Sequence, residues 1–136
     1  MNITKDNYLE QAKDSILKLK NLKDDKRNRY IPMLTTSKIR NLLAMSAEIR
    51  NDALTQGDIL NDRTIDKINH LKVRFLYEAG RKDSNTNSFP VKNFVECTGI
   101  LDVINNIGNS KDKYILFSNY FESLVAYHKY YGGKDN

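Results

Sequence analysis

Apolar residues recur at intervals of three and four along almost the whole chain, the spacing of one face of an α-helix. The first such segment covers residues 6–22, with Tyr8, Leu9, Ala12, Ile16 and Leu19 on one side. A basic connector, KDDKRNRYIP, follows and ends at Pro32. Thr35, Thr36 and Ser37 have oxygens that can accept from the free N–H groups of a second helix. The apolar face of that helix is Ile39, Leu42, Leu43, Ile49 and Ala53, and Gly57 and Asp58 end it. Asn61 is placed to cap a third helix with a buried stripe of Ile65, Ile68, Leu71, Phe75, Leu76 and Ala79. Gly80 stands where a left-handed C-cap is expected. Residues 83–88 are polar and read as a loop. Pro90 fits the first turn of a fourth helix, which carries Phe94, Cys97, Leu101 and Ile104 and runs to Gly108. Ser110 caps a fifth helix that continues to about Tyr131 and is closed by Gly132 and Gly133.

Alternation of the kind a half-buried strand requires is absent. The expectation is therefore an all-α protein, one helical domain over residues 1–136, built as a compact bundle of about five helices with short connections. Leu116, Phe117, Tyr120, Phe121, Leu124, Val125, Tyr127 and Tyr131 occupy roughly half the circumference of the fifth helix. An apolar arc that wide places the helix at the centre, and its buried tyrosine hydroxyls then need partners.

Composition narrows the function classes. The chain has 136 residues, with 22 Lys and Arg against 17 Asp and Glu, a net charge of +5. That balance favours an acidic partner, most often nucleic acid. One cysteine, Cys97, and two histidines, His70 and His128, are too few for a disulfide, a zinc cluster or a multi-histidine metal site. No metal and no cofactor are expected. The N-terminal run MNITKDNYLEQ lacks the apolar centre of a signal peptide, and no apolar run is long enough for a membrane helix. The expected location is the cytoplasm, with no membrane contact.

The cations are not evenly spread. On the third helix, Arg63, Lys67, His70, Arg74 and Tyr77 fall within about 80° of one another, opposite the apolar stripe, and Arg81 continues the line. Such a row can follow a phosphate backbone or simply face solvent, and Asp66 and Glu78 flank it. Lys38 and Arg40 stand at the start of the second helix. Arg50 falls on the apolar side of that helix and must find a partner or extend to water. Lys23, Lys26, Arg27 and Arg29, with Tyr30, form a further basic cluster interrupted by Asp24 and Asp25.

Little in the chain suggests catalysis. Arg63 and His70 spell Arg-x6-His, which resembles the active-site signature of HEPN ribonucleases, where a histidine moves a proton and an arginine stabilises charge. Thr64 stands where such sites favour another polar residue. His128 lies in the apolar arc of the fifth helix and Cys97 on the apolar face of the fourth, both positions suited to a core. No catalytic residue is assigned. A HEPN-like ribonuclease and a helical DNA-binding regulator are the alternatives to the reading that follows.

Three stretches carry a more specific likeness: LTTSKIRNLLAM (residues 34–45), LKVRFLYEAGR (residues 71–81) and FSNYFESLVAYHKYYGG (residues 117–133). In order and over nearly the whole chain they resemble the small-subunit family of type III-A CRISPR effector complexes, the Csm complexes. The resemblance implies a helical bundle without catalytic activity of its own, present in several copies stacked head-to-tail. Those copies would contact the target RNA strand of the guide–target duplex, other copies of the chain, and the backbone and large subunits. The basic positions that match the family are Lys38, Arg40, Lys72, Arg74, Arg81 and Lys129. Of these, Lys38, Arg40, Arg74, Arg81 and Lys129 are the expected RNA-binding residues. Lys72 points toward the apolar stripe and suits packing or a subunit contact instead. Tyr130, outward in the terminal YYGG run, is a candidate edge for stacking. A subunit that accepts any target cannot read base edges, because pairing with the guide reads the sequence; it can offer cations to phosphates.

Overall fold

The computed structural model describes residues 2–24, 29–30, 35–84 and 87–133. Among these residues six helices occur: α1 (Tyr8–Lys20), α2 (Arg40–Leu54), α3 (Asp62–Ala79), α4 (Pro90–Thr98), α5 (Ile100–Asn105) and α6 (Lys111–Tyr130). A two-residue antiparallel ribbon, Lys23–Asp24 with Arg29–Tyr30, is the only departure from helix and turn long enough to name as strand among the described residues. It sits in the basic connector. Lys26, Arg27, Pro32 and Leu34 lie outside the described residues.

The all-α expectation holds, with one helix more than the periodicity suggested. The fourth segment is divided at Gly99, whose φ of 66° is left-handed, a conformation that costs glycine nothing. Phe94, Cys97, Leu101 and Ile104 keep helical spacing across the break, so hydrophobic periodicity passes over a single reversed residue. Two expected caps form: Asn61 Oδ1 accepts from the Thr64 N–H at 2.9 Å, and Ser110 Oγ from the Lys113 N–H at 3.2 Å. At the second helix the expectation is corrected. Residues Thr36–Lys38 form a 3-10 turn, the Ser37 hydroxyl pairs with Thr35 Oγ1 at 2.8 Å, and Ile39 stands at the N-cap without a side-chain bond. Gly80 is also corrected: its φ is −78°, and its N–H still bonds the Leu76 and Tyr77 carbonyls. Leu76, assigned to the buried stripe, is 51% exposed, and Leu9 of α1 is 52% exposed; both lie at the edge of their apolar arcs.

The aromatic residues of α6 make the centre. Tyr114, Phe117, Tyr120, Phe121 and Leu124 are fully buried. Phe121 packs on Phe75 of α3 at 5.2 Å and Phe94 of α4 at 6.5 Å between ring centroids, separations at which tilted rings attract. Both buried hydroxyls have partners. Tyr114 donates to the Ser46 carbonyl of α2 at 2.6 Å. Tyr120 donates to the Thr98 carbonyl at the end of α4 at 2.6 Å, and its oxygen lies 3.1 Å from Ser15 Oγ of α1. Burial pushes both phenols above their ordinary pKa of 10.0. Arg50, on the inner side of α2, donates to Asn119 Oδ1 at 2.7 Å and to Ser118 Oγ at 3.3 Å. At the C-terminal end, the backbone of Gly133 lies against the buried His128, where any Cβ would collide with the imidazole.

The connection between α2 and α3 determines where the surface cations fall. Gln56 closes it: Nε2 donates to Thr64 Oγ1 at 2.7 Å, and Oε1 accepts from the Asn61 N–H at 2.8 Å. Lys111 Nζ donates to the Gln56 carbonyl at 2.7 Å, tying the turn to the start of α6. So short a turn makes α2 and α3 antiparallel neighbours. The start of α2 therefore stands beside the end of α3.

Candidate nucleic-acid interface

The antiparallel pairing brings Lys38, from the 3-10 turn before α2, alongside Arg74 and Arg81 of the α3 end. Together with Ser37, Asn41, Leu42, Met45 and Glu78 they line a groove of about 240 Å³. Lys38 is exposed and has no charged partner among the described residues. The two arginines share one carboxylate. Glu78 Oε1 accepts from Arg74 Nη2 at 3.4 Å, and Glu78 Oε2 from Arg81 Nη1 at 3.3 Å. Glu78 is 12% exposed at its side chain, against 38% for Arg74 and 61% for Arg81. The carboxylate therefore lies beneath two guanidinium groups that remain open to solvent. A guanidinium has five N–H donors, so most donors of each arginine stay free for a ligand. Arg74 also lies over the Tyr77 ring, 5.0 Å from its centroid. Three cations and one carboxylate leave the groove with a local charge of +2.

The row along α3 does not behave as one surface. Its lower half, Arg63, Lys67 and His70, lines a separate groove of about 370 Å³ with Met45, Glu48, Ile49 and Asp66. There Lys67 is held by Asp52 at 2.6 Å, and Glu48 and Asp66 offset the remaining charge. Only the upper half, reached by Lys38, is cation-rich. Periodicity placed Arg74 and Arg81 in line with Arg63, but could not show which acids of α2 face each half.

The other expected cations lie elsewhere. Arg40 is exposed at the first position of α2 but does not line the groove, and Lys129 is exposed near the end of α6. Lys72 is half-buried on the opposite flank of α3, in a groove of about 520 Å³ lined by Ile65, Ile68, Asn69, Ile104, Ile107 and the loop that follows. Tyr130 is 79% exposed beside Tyr131. Asn41 was missed by sequence reasoning; its only signal is its place three residues after Lys38.

The cysteine and the second histidine lie in the core. Cys97 is buried, and burial pushes its thiol pKa up, which suppresses the thiolate. His128 is buried within α6. Among the described residues no three His, Cys, Asp or Glu side chains gather as a metal site would need, and no helix is long and apolar enough to cross a membrane.

Known proteins supply the frame for this geometry. The sequence model of the Csm2 Type III-A family matches residues 18–134. The CRISPR system Cms protein Csm2 of Streptococcus thermophilus is 36% identical over 137 residues, covering 98% of each chain. The protein of the same name from Mycobacterium tuberculosis strain CDC 1551 is 33% identical over 136 residues, covering 99% of each. That from Enterococcus italicus is 33% identical over 118 residues, covering 82% of this chain and 80% of its own. With a family match over most of its length and relatives aligned nearly end to end, the chain belongs to the Csm2 family, the small subunit of the type III-A CRISPR Csm complex.

Proposed function

We propose that this chain is a non-catalytic, RNA-binding brace of the Csm complex, a single cytoplasmic domain that holds the target RNA strand by its phosphates. Other Csm subunits are its partners by family; contact with the target strand, stacking of several copies, and abutment on the backbone and large subunits are part of this reading. It requires no cofactor and no metal. The observation that carries it is the convergence of Lys38, Arg74 and Arg81 in one groove. Cations from two elements held on a helical frame meet a polyanion with little rearrangement, and phosphate contacts carry no base information. Arg40 and Lys129, both exposed outside this groove, are further RNA contacts in this reading.

The isolated protein binds single-stranded RNA weakly and without sequence preference in this account. Each phosphate contact contributes about 0.7 to the slope of log K against log salt for single strands. Arg74→Ala combined with Arg81→Ala lowers that slope by about 1.4. An unchanged slope would place the RNA on another surface. Specific RNA cleavage abolished by His70→Ala would replace the brace with a ribonuclease, and a preference for one duplex DNA sequence would replace it with a regulator.

A further inference from the structure

Phosphates are the same in RNA and DNA, so the three cations of the α2–α3 groove cannot tell the two apart. The distinguishing group is the ribose 2′-hydroxyl, a donor and an acceptor at once. A neutral side chain able to play both parts, beside the phosphate-binding cations, can sense it. Two neutral polar side chains line this groove, Ser37 and Asn41. Ser37 is already engaged by Thr35 Oγ1 at 2.8 Å. Asn41 is exposed in the first turn of α2, and its carboxamide has no hydrogen-bond partner among the described residues. A carboxamide carries two donors and an acceptor. Met45, one turn further along α2, and Leu42 supply an apolar wall beside it, suited to the carbon face of a sugar.

We propose that Asn41 is the ribose-reading residue of this groove. Its carboxamide hydrogen-bonds a ribose 2′-hydroxyl while Lys38, Arg74 and Arg81 hold the adjoining phosphates. This rests on the α2–α3 groove being the RNA surface. The cations set affinity for any nucleic acid strand, and Asn41 adds a preference for RNA. One net neutral hydrogen bond corresponds to about a 2- to 10-fold difference in affinity.

The test uses the full chain and two probes of equal length, oligouridylate and its 2′-deoxy counterpart, titrated at several salt concentrations. The wild type binds the ribose form more tightly. Asn41→Ala lowers ribose affinity about 2- to 10-fold, leaves deoxyribose affinity unchanged, and leaves the salt slope unchanged. The retained deoxyribose affinity shows that the variant is folded. Equal loss for both probes, an unchanged ratio, or no ribose preference in the wild type would each overturn the proposal. The Arg74→Ala, Arg81→Ala variant separates the two readings. A reduced slope there with an unchanged ratio in Asn41→Ala removes only the role of Asn41. An unchanged slope there, or no binding by the wild type, removes the groove as well.

Discussion

The two flanks of α3 present opposite chemistry. The flank facing α2 carries, at the C-terminal end of α3, a groove of about 240 Å³ in which Lys38, Arg74 and Arg81 outnumber Glu78. The flank facing α5 carries the larger one, about 520 Å³, with an isoleucine floor, asparagine amides on its rim and Lys72 as its one ion. Size would select the second groove as a ligand site. Charge selects the first, because a polyanion is drawn by summed potential rather than by depth. One helix thus separates a surface suited to a phosphate chain from one that is electrically quiet. The difference arises from which neighbour each flank meets: the basic start of α2 on one side, α5, whose one charged residue is Asp102, and its following loop on the other.

The largest test of this comparison removes what both flanks share. Phe121 packs under α3 through Phe75. Phe121→Ala should destabilise the fold by about 3–5 kcal/mol in urea denaturation, as buried phenylalanine truncations do. It should weaken both flanks together. A loss under about 1 kcal/mol would mean that α3 is held by something other than the α6 aromatics.

Alkaline pH tests the same frame. Tyr114 and Tyr120 have pKa values raised by burial above 10.0, so their neutral forms are favoured in the folded state. Their contribution to stability is complete below the unfolded value, about pH 10. It is lost as pH rises through the higher folded values. Denaturation midpoints should hold steady up to about pH 9 and then fall. The double variant Tyr114→Phe, Tyr120→Phe should flatten that fall, and an equally steep fall would assign it to other groups.

A smaller effect is expected at the foot of α3. Asn61 caps it through the Thr64 N–H, and Asn61→Ala should cost about 1 kcal/mol in thermal or urea unfolding. RNA affinity should be unaffected, since the cationic groove lies at the other end of the helix. A large change in binding would show that the groove depends on the whole length of α3.

Much of this arrangement is legible in the sequence, and the failures have physical causes. Helical spacing found every long helix, and Asn61 and Ser110 were readable as caps because their side-chain oxygens act on local N–H groups. The break at Gly99 was not readable, because apolar spacing continues through it. The outward position of Leu76 was missed because a wheel gives an angle but not the reach of the neighbouring helix. Among the site residues, Arg74 and Arg81 could be placed on one face from α3 alone. Their separation from Arg63 and Lys67 could not, because it is made by Glu48, Asp52 and Lys38 across the α2–α3 interface. The pairing of both arginines with Glu78 follows from spacings of three and four residues.

The central claim is that one flank of α3, and not the other, meets the phosphate chain. The direct measurement compares two single-charge removals on the two flanks, Lys38→Ala and Lys72→Ala, by the salt dependence of binding to single-stranded RNA. Lys38→Ala should lower the slope of log K against log salt by about 0.7, one lost phosphate contact. Lys72→Ala should leave it unchanged. Equal losses, or a loss at Lys72 alone, would contradict the account.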